Sequence, residues 1–232
     1  METEPVPRGR RPAGAIPVVA GGLVMLWLGA AVAAQEMTPP RPPLVLTLQP
    51  PAGGETAPVF PGELRKGSQE FTFLVGSGEQ VEIFGGSQAD REFLFFTPRW
   101  GIVVTDPGGE SFWRGGLEFV TEPSAIITTD KPRILSGGIA ALLKYNFYTG
   151  TRLMPFLEAG AGLMVSTGRL EGLGSSFNFT PQAGGGFHYF LAREWAFTFA
   201  YRFWHASNAG TADPNRGANV NIVFIGLAYF FP

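Results

Sequence analysis

The chain of 232 residues has no cysteine and only two histidines. It therefore has no disulfide framework and no set of Cys and His ligands for a structural zinc. Charge is also scarce, with 16% charged residues and a formal net charge of −2. A nucleic-acid binder needs a basic patch, which this balance does not support. After Ala33 no apolar run approaches the roughly twenty residues of a spanning helix. If the remainder of the chain enters a membrane, it must do so as strands. Glycine, at 32 residues, and aromatics, at 13%, are by contrast abundant.

The N-terminus reads as an export signal. Arg8, Arg10 and Arg11 form a basic start, and an apolar run follows to Ala33. Small residues then offer cleavage after Ala33 or after Ala34, ahead of Gln35. An uncleaved anchor is the alternative, but polar, proline-rich sequence follows at once and favours cleavage. The sequence thus divides into a signal peptide at 1–34, a Pro-rich periplasmic linker at 35–68 and a β-barrel domain at 69–232. Pro39-Pro40, Pro42-Pro43 and Pro50-Pro51 deny the linker backbone donors and favour an extended tether.

From Gln69 the pattern has period two, the mark of strands with one apolar face. Eight runs can be drawn: 69–78, 92–104, 111–121, 134–148, 153–166, 177–190, one from 195 that carries His205 and Ser207, and 219–231. In the seventh, Trp195, Phe197, Phe199, Tyr201 and Phe203 alternate along one face. Connections after the second, fourth and sixth runs (105–110, 149–152, 191–194) are expected to be short, and the other loops longer, roughly ten residues each, as in outer-membrane barrels.

A soluble lipocalin-like barrel would hold its apolar face inside and charge outside. Here the second face is Gly, Ser, Thr and Asn, with isolated Arg99, Arg114, Glu118, Lys144, Glu158, His188 and Arg202. That face suits a narrow polar interior, with the aromatic face turned to lipid. The expected fold is all-β: an eight-stranded antiparallel outer-membrane β-barrel, closed because lipid leaves no partner for an open edge. The chain also ends on aromatics, Tyr229-Phe230-Phe231, with Pro232 after them.

His205 and Ser207 lie two apart on one strand, so their Cα atoms stand roughly 6.5–7 Å apart on the same face. Serine becomes a nucleophile when a base takes its proton, and histidine is the usual base near neutral pH. A third group should hold the imidazole tautomer, and donors should meet the oxyanion of an ester transition state. Asn208 and the backbone at Ala209-Gly210 are candidate donors.

His205-Ala206-Ser207-Asn208-Ala209-Gly210, followed by Pro214-Asn215-Arg216-Gly217, resembles the motif of the PagL-type lipid A 3-O-deacylases, the acyloxyacyl hydrolase family. The resemblance implies an outer-membrane serine esterase that removes an ester-linked acyl chain from lipid A. It implies His205 as base, Ser207 as nucleophile and Asn208 at the oxyanion hole, where the Gly210 backbone is the further candidate read from the residues. Lipid A of lipopolysaccharide and outer-membrane lipids are the implied partners, with a homodimer as a further one; no metal or organic cofactor is needed.

The sequence departs from the family where its members carry a Glu as triad acid: the matching position is Asn219. Asn can accept a hydrogen bond from imidazole but offers no charge to the imidazolium. In a serine-protease triad, exchanging Asp for Asn costs roughly 10⁴ in turnover. Asn219 ranks first as third member and Asp213 second, and Asn219→Glu is expected to leave folding intact and raise the rate. The alternative reading is a non-catalytic small outer-membrane barrel with a structural or adhesion role.

Overall fold

Period-two alternation becomes strand wherever one face can be apolar and the other polar. In the computed structural model, residues 62–83 and 91–231 are described, and the expected signal peptide, the linker up to residue 61 and Pro232 lie outside them. The strands are β1 (Gln69–Gln80), β2 (Glu92–Val103), β3 (Gly115–Thr128), β4 (Leu135–Phe147), β5 (Leu153–Ser166), β6 (Phe177–Phe179), β7 (Gln182–Phe190), β8 (Trp195–Ala206) and β9 (Ala218–Phe231). All pairings are antiparallel, β1 pairs with both β2 and β9, and β4 pairs with β5, so the sheet closes. β6 and β7 form one stave, since the register to β5 runs unbroken from Leu163↔Phe179 to Gly160↔Gln182 across Pro181. The result is a closed eight-stranded antiparallel barrel. Its first and last strands begin and end at the same rim, called here the terminal end; the opposite rim is the distal end.

The third run differs from its sequence reading. Residues Ser111–Trp113 are a 3-10 turn, and β3 continues through Pro123 to Thr128. Proline is tolerated there because its missing donor falls on a seam that is already interrupted. The β3 ladder to β4 is unbroken through Pro123↔Ile139. Its ladder to β2 stops at Phe96↔Ala125 and resumes at Trp100↔Thr121, with Pro98 and Pro123 inside the gap. Consequently the second connection, 104–114, is long and the third, 129–134, is short, the reverse of the expected alternation at these two places. Arg114, expected to face inward, instead lies outside the strand and is exposed.

The wall is inverted relative to a soluble protein. Outward residues such as Phe71, Ile139, Leu157 and Ile225 are large and exposed, at 48%, 55%, 58% and 54%. The lumen is filled by buried Thr72, Arg99, Glu118, Lys144, Asn146, His188, Thr198 and Arg202. Polar groups buried in a narrow barrel must satisfy one another. Arg202 spans Glu122 (2.9 Å), Gln182 (2.9 Å) and Glu158 (2.5 Å). Arg99 joins Glu122 at 3.1 Å and also binds Glu158. Lys144 joins Glu118 at 2.9 Å and Glu70, and His188 Nδ1 lies 2.9 Å from Thr198 Oγ1.

The last residues of the segment read as a linker are packed against the terminal end. Leu64 is buried among Val103, Tyr148, Met154, Phe190 and Phe230, and its carbonyl accepts from Tyr148 Oη at 3.0 Å. Glu63 pairs with Arg114, whose Nη2 donates to Glu63 Oε2 at 2.9 Å. The hydrogen-bonded guanidinium holds the Glu63 carboxyl below its ordinary value. Around the same rim, Trp195 packs edge-on against Tyr229 and Tyr229 against Phe231, the aromatic belt of a membrane interface.

Candidate active site

The distal ends of β8 and β9 bring the sequence-selected side chains together. His205 lies opposite Asn219 in the register. The main-chain N–H of His205 bonds away from β9, to Pro181 O at 3.0 Å. His205 and Asn219 are therefore a non-hydrogen-bonded pair, the kind whose side chains approach closest. His205 Nδ1 sits 2.6 Å from Asn219 Oδ1. Asn219 is only 2% exposed, and its Nδ2 donates to the carbonyl of Ile83 at 2.6 Å. Ile83 belongs to the connection after β1, which is tied to the same strand by Val81 N to Asn219 O at 2.8 Å.

Ser207 continues the outward face of β8 one step past the strand. Its backbone bridges Phe179, with Ser207 N to Phe179 O at 3.0 Å and Phe179 N to Ser207 O at 2.7 Å. Its hydroxyl has no hydrogen bond among the described residues, so none links it to His205. Such contacts often tighten only when substrate is bound. Phe179 and Phe177, edge to face at 5.5 Å, make an apolar flank beside it.

Beyond Ser207 the chain turns sharply. Ala209 and Gly210 adopt φ of 52° and 78°. Asn208 is fully buried and organises this turn. Its Oδ1 accepts from Gly210 N at 2.9 Å, and its Nδ2 donates to Ala212 O at 2.8 Å and Pro214 O at 3.2 Å. Its own N–H donates to Asn215 Oδ1 at 3.0 Å. The amides of Asn208 and Gly210 are thus committed within the loop, whereas the Ala209 N–H has no partner among the described residues. Asp213 is exposed in the same connection and makes no side-chain bond to His205. Of the two candidates for third member, Asn219 is the one in contact with the imidazole.

Two positions carry roles that the sequence reading assigned to neither, although Gly217 is the last residue of the motif. Gly217 has φ of +77°, and a Cβ there would lie 2.5 Å from His205 Cε1 and 3.3 Å from Nε2. The Gly217 backbone is therefore one wall of the imidazole pocket. The Ile83 carbonyl acts one step removed, by accepting from Asn219 Nδ2 across more than a hundred residues; only the order of strands around the barrel could have disclosed it.

No curated protein matches the sequence significantly. Among solved structures the chain is similar to the outer membrane enzyme PagL, at 22% identity and a TM-score of 0.51, over 68% of this chain and 97% of that one. It is also similar to Neisserial surface protein A, at 16% identity and a TM-score of 0.50, over 71% of this chain and 99% of that one. At these identities the likeness speaks to the barrel fold. The family model for lipid A 3-O-deacylase (PagL) matches residues 85–228, more than half of the sequence, and the chain is an outer-membrane β-barrel belonging to that family.

Proposed function

We propose that the chain is a serine esterase that hydrolyses the 3-linked acyl ester of lipid A, with Ser207 as nucleophile, His205 as base and Asn219 as third member. The observation that carries this reading is the His205–Asn219 contact at 2.6 Å, on the lipid-facing wall and one residue from Ser207. With both termini in the periplasm, the distal end faces the outer leaflet, where lipopolysaccharide resides.

In this mechanism Ser207 Oγ attacks the acyl carbonyl carbon while His205 Nε2 takes its proton. The oxyanion is met by main-chain amides of the turn Asn208–Ala209–Gly210, of which Ala209 N–H is uncommitted; Asn208 and Gly210 would first have to exchange their loop partners. Collapse breaks the bond to the sugar 3-oxygen, which receives the proton from His205. Water, deprotonated by His205, then attacks the acyl-enzyme, releasing the fatty acid and restoring Ser207. The apolar flank of Phe177 and Phe179 suits the acyl chain. Asn219 orients the imidazole without adding charge, so turnover is expected below that of a carboxylate-bearing site. All three residues come from one chain and the barrel has no open edge, so a second copy is not required.

The test is mass spectrometry of lipid A from cells expressing the wild type beside Ser207→Ala. The expected outcome is loss of one 3-linked acyl chain with the wild type alone. Intact lipid A from both, or equal loss from both, would overturn the reading.

A further inference from the structure

We propose that the main-chain carbonyl of Ile83 is a positioning group of the site, making position 219 complementary to an amide and not to a carboxylate. The inference rests on the Ser207–His205 reading above and extends it by one member. Asn219 touches two groups of opposite polarity through its side chain. The Ile83 carbonyl can only accept, so the carboxamide must present Nδ2 to it, at 2.6 Å. That leaves Oδ1 facing His205 Nδ1, also at 2.6 Å. An oxygen there can only accept, so Nδ1 must carry the proton. The Nε2 lone pair is then free for Ser207. The tautomer needed in a general base is thus set by a carbonyl from the first connection, relayed through one amide.

An ionised Asp at 219 has the same shape but no donor. One of its oxygens would face the Ile83 carbonyl oxygen at hydrogen-bonding distance, acceptor against acceptor. The site is also buried, with Asn219 at 2% exposure, and neither side-chain partner is an ammonium or guanidinium group. A charge there is costly. The sequence leads to the expectation that Asn219→Glu raises the rate; for the shorter, isosteric acid the expectation is the opposite.

Two measurements decide it. In protein labelled with ¹⁵N-histidine, the His205 resonances, assigned by their loss in His205→Gln, are expected to show Nδ1 protonated and Nε2 unprotonated at neutral pH. The Nε2–H tautomer, or an even mixture, overturns the proposal. In lipid A hydrolysis, Asn219→Asp is expected to lower kcat/KM at least about tenfold at neutral pH. The loss should fall on kcat, because residue 219 does not touch substrate. Activity equal to or above wild type overturns the proposal. If wild type and Ser207→Ala both leave lipid A intact, the esterase reading fails by itself and the tautomer measurement still decides the role of Ile83. If Asn219→Asp does not fold, the wild-type spectrum decides.

Discussion

Gly217 shows how much a missing side chain can matter. Its backbone closes one face of the His205 ring, and a Cβ would come within 2.5 Å of Cε1. Its φ of +77° adds a backbone cost of about 1–2 kcal/mol for any L side chain. Gly217→Ala should therefore push the imidazole off its line between Asn219 and Ser207. The expected outcome is a fall in kcat/KM of at least about tenfold, with heat-modifiable gel mobility retained, because the barrel does not depend on this ring. A variant of full activity would show that the imidazole has room to move. Asn208 makes the opposite point, since its side chain holds the loop by hydrogen bonds to three backbone groups. Asn208→Ala removes the donor to the Ala212 carbonyl and the acceptor of the Gly210 N–H, at about 0.5–1.5 kcal/mol each. Limited proteolysis should then nick the 207–217 connection faster than in wild type, while the strands stay protected.

Among the elements, the seam between β2 and β3 is the weak join in the wall. Pro98 and Pro123 interrupt its ladder, so backbone bonds are missing over that stretch. Inside the lumen the gap is spanned by Arg99 of β2 and Glu122 of β3, 3.1 Å apart, with Arg202 reinforcing Glu122. Side chains thus replace the ladder where proline removed it. Glu122→Ala leaves two buried guanidiniums facing each other with one carboxylate, Glu158, and should cost about 3–5 kcal/mol. The check is the urea midpoint at which the heat-modifiable form is lost; an unchanged midpoint would mean the seam is held by other contacts. This seam also marks where the sequence was hard to read. Eight staves and their lipid-facing sides were legible because the period-two signal is local. β3 was cut short at Thr121 because Pro123 ordinarily ends a strand, and its tolerance depends on Pro98 in another strand. His205 was legible from its spacing to Ser207, and Asn219 from the family resemblance, with parity placing both on the outward face. Ile83 and Gly217 were not, since their roles follow from register across β1, β8 and β9 and from the path of a connection.

At the scale of the whole molecule, the barrel is a filled wall with the proposed site on its outside. The terminal end is shut by Leu64 and its neighbours Val103, Met154, Phe190 and Phe230. Leu64→Ala should cost about 2–5 kcal/mol by leaving a cavity, read as a lower urea midpoint. Glu63→Gln should cost far less, since the Glu63–Arg114 pair is solvent-exposed. What that pair does contribute is present above the ordinary carboxylate range and is lost as pH falls through the lowered pKa of Glu63. Above the terminal cluster the lumen is crossed by the buried charges of Glu70, Glu118, Lys144, Arg99, Glu122, Glu158 and Arg202. Above those lies a second apolar layer of Phe93, Phe95, Trp204 and Phe224, with Phe95 edge-on to Trp204 at 6.0 Å. An ion entering from either end would meet an apolar layer and then a network whose charges are already paired with one another. The protein in planar bilayers should therefore show no conductance steps in molar salt. Steps at the single-channel level would mean that these layers open in the membrane. They would also relocate the question of function from the lipid-facing wall to the interior. Silence in the bilayer together with acyl release from lipid A is the combination the proposed function predicts, because a site on the outer wall would need the lumen only as a rigid support.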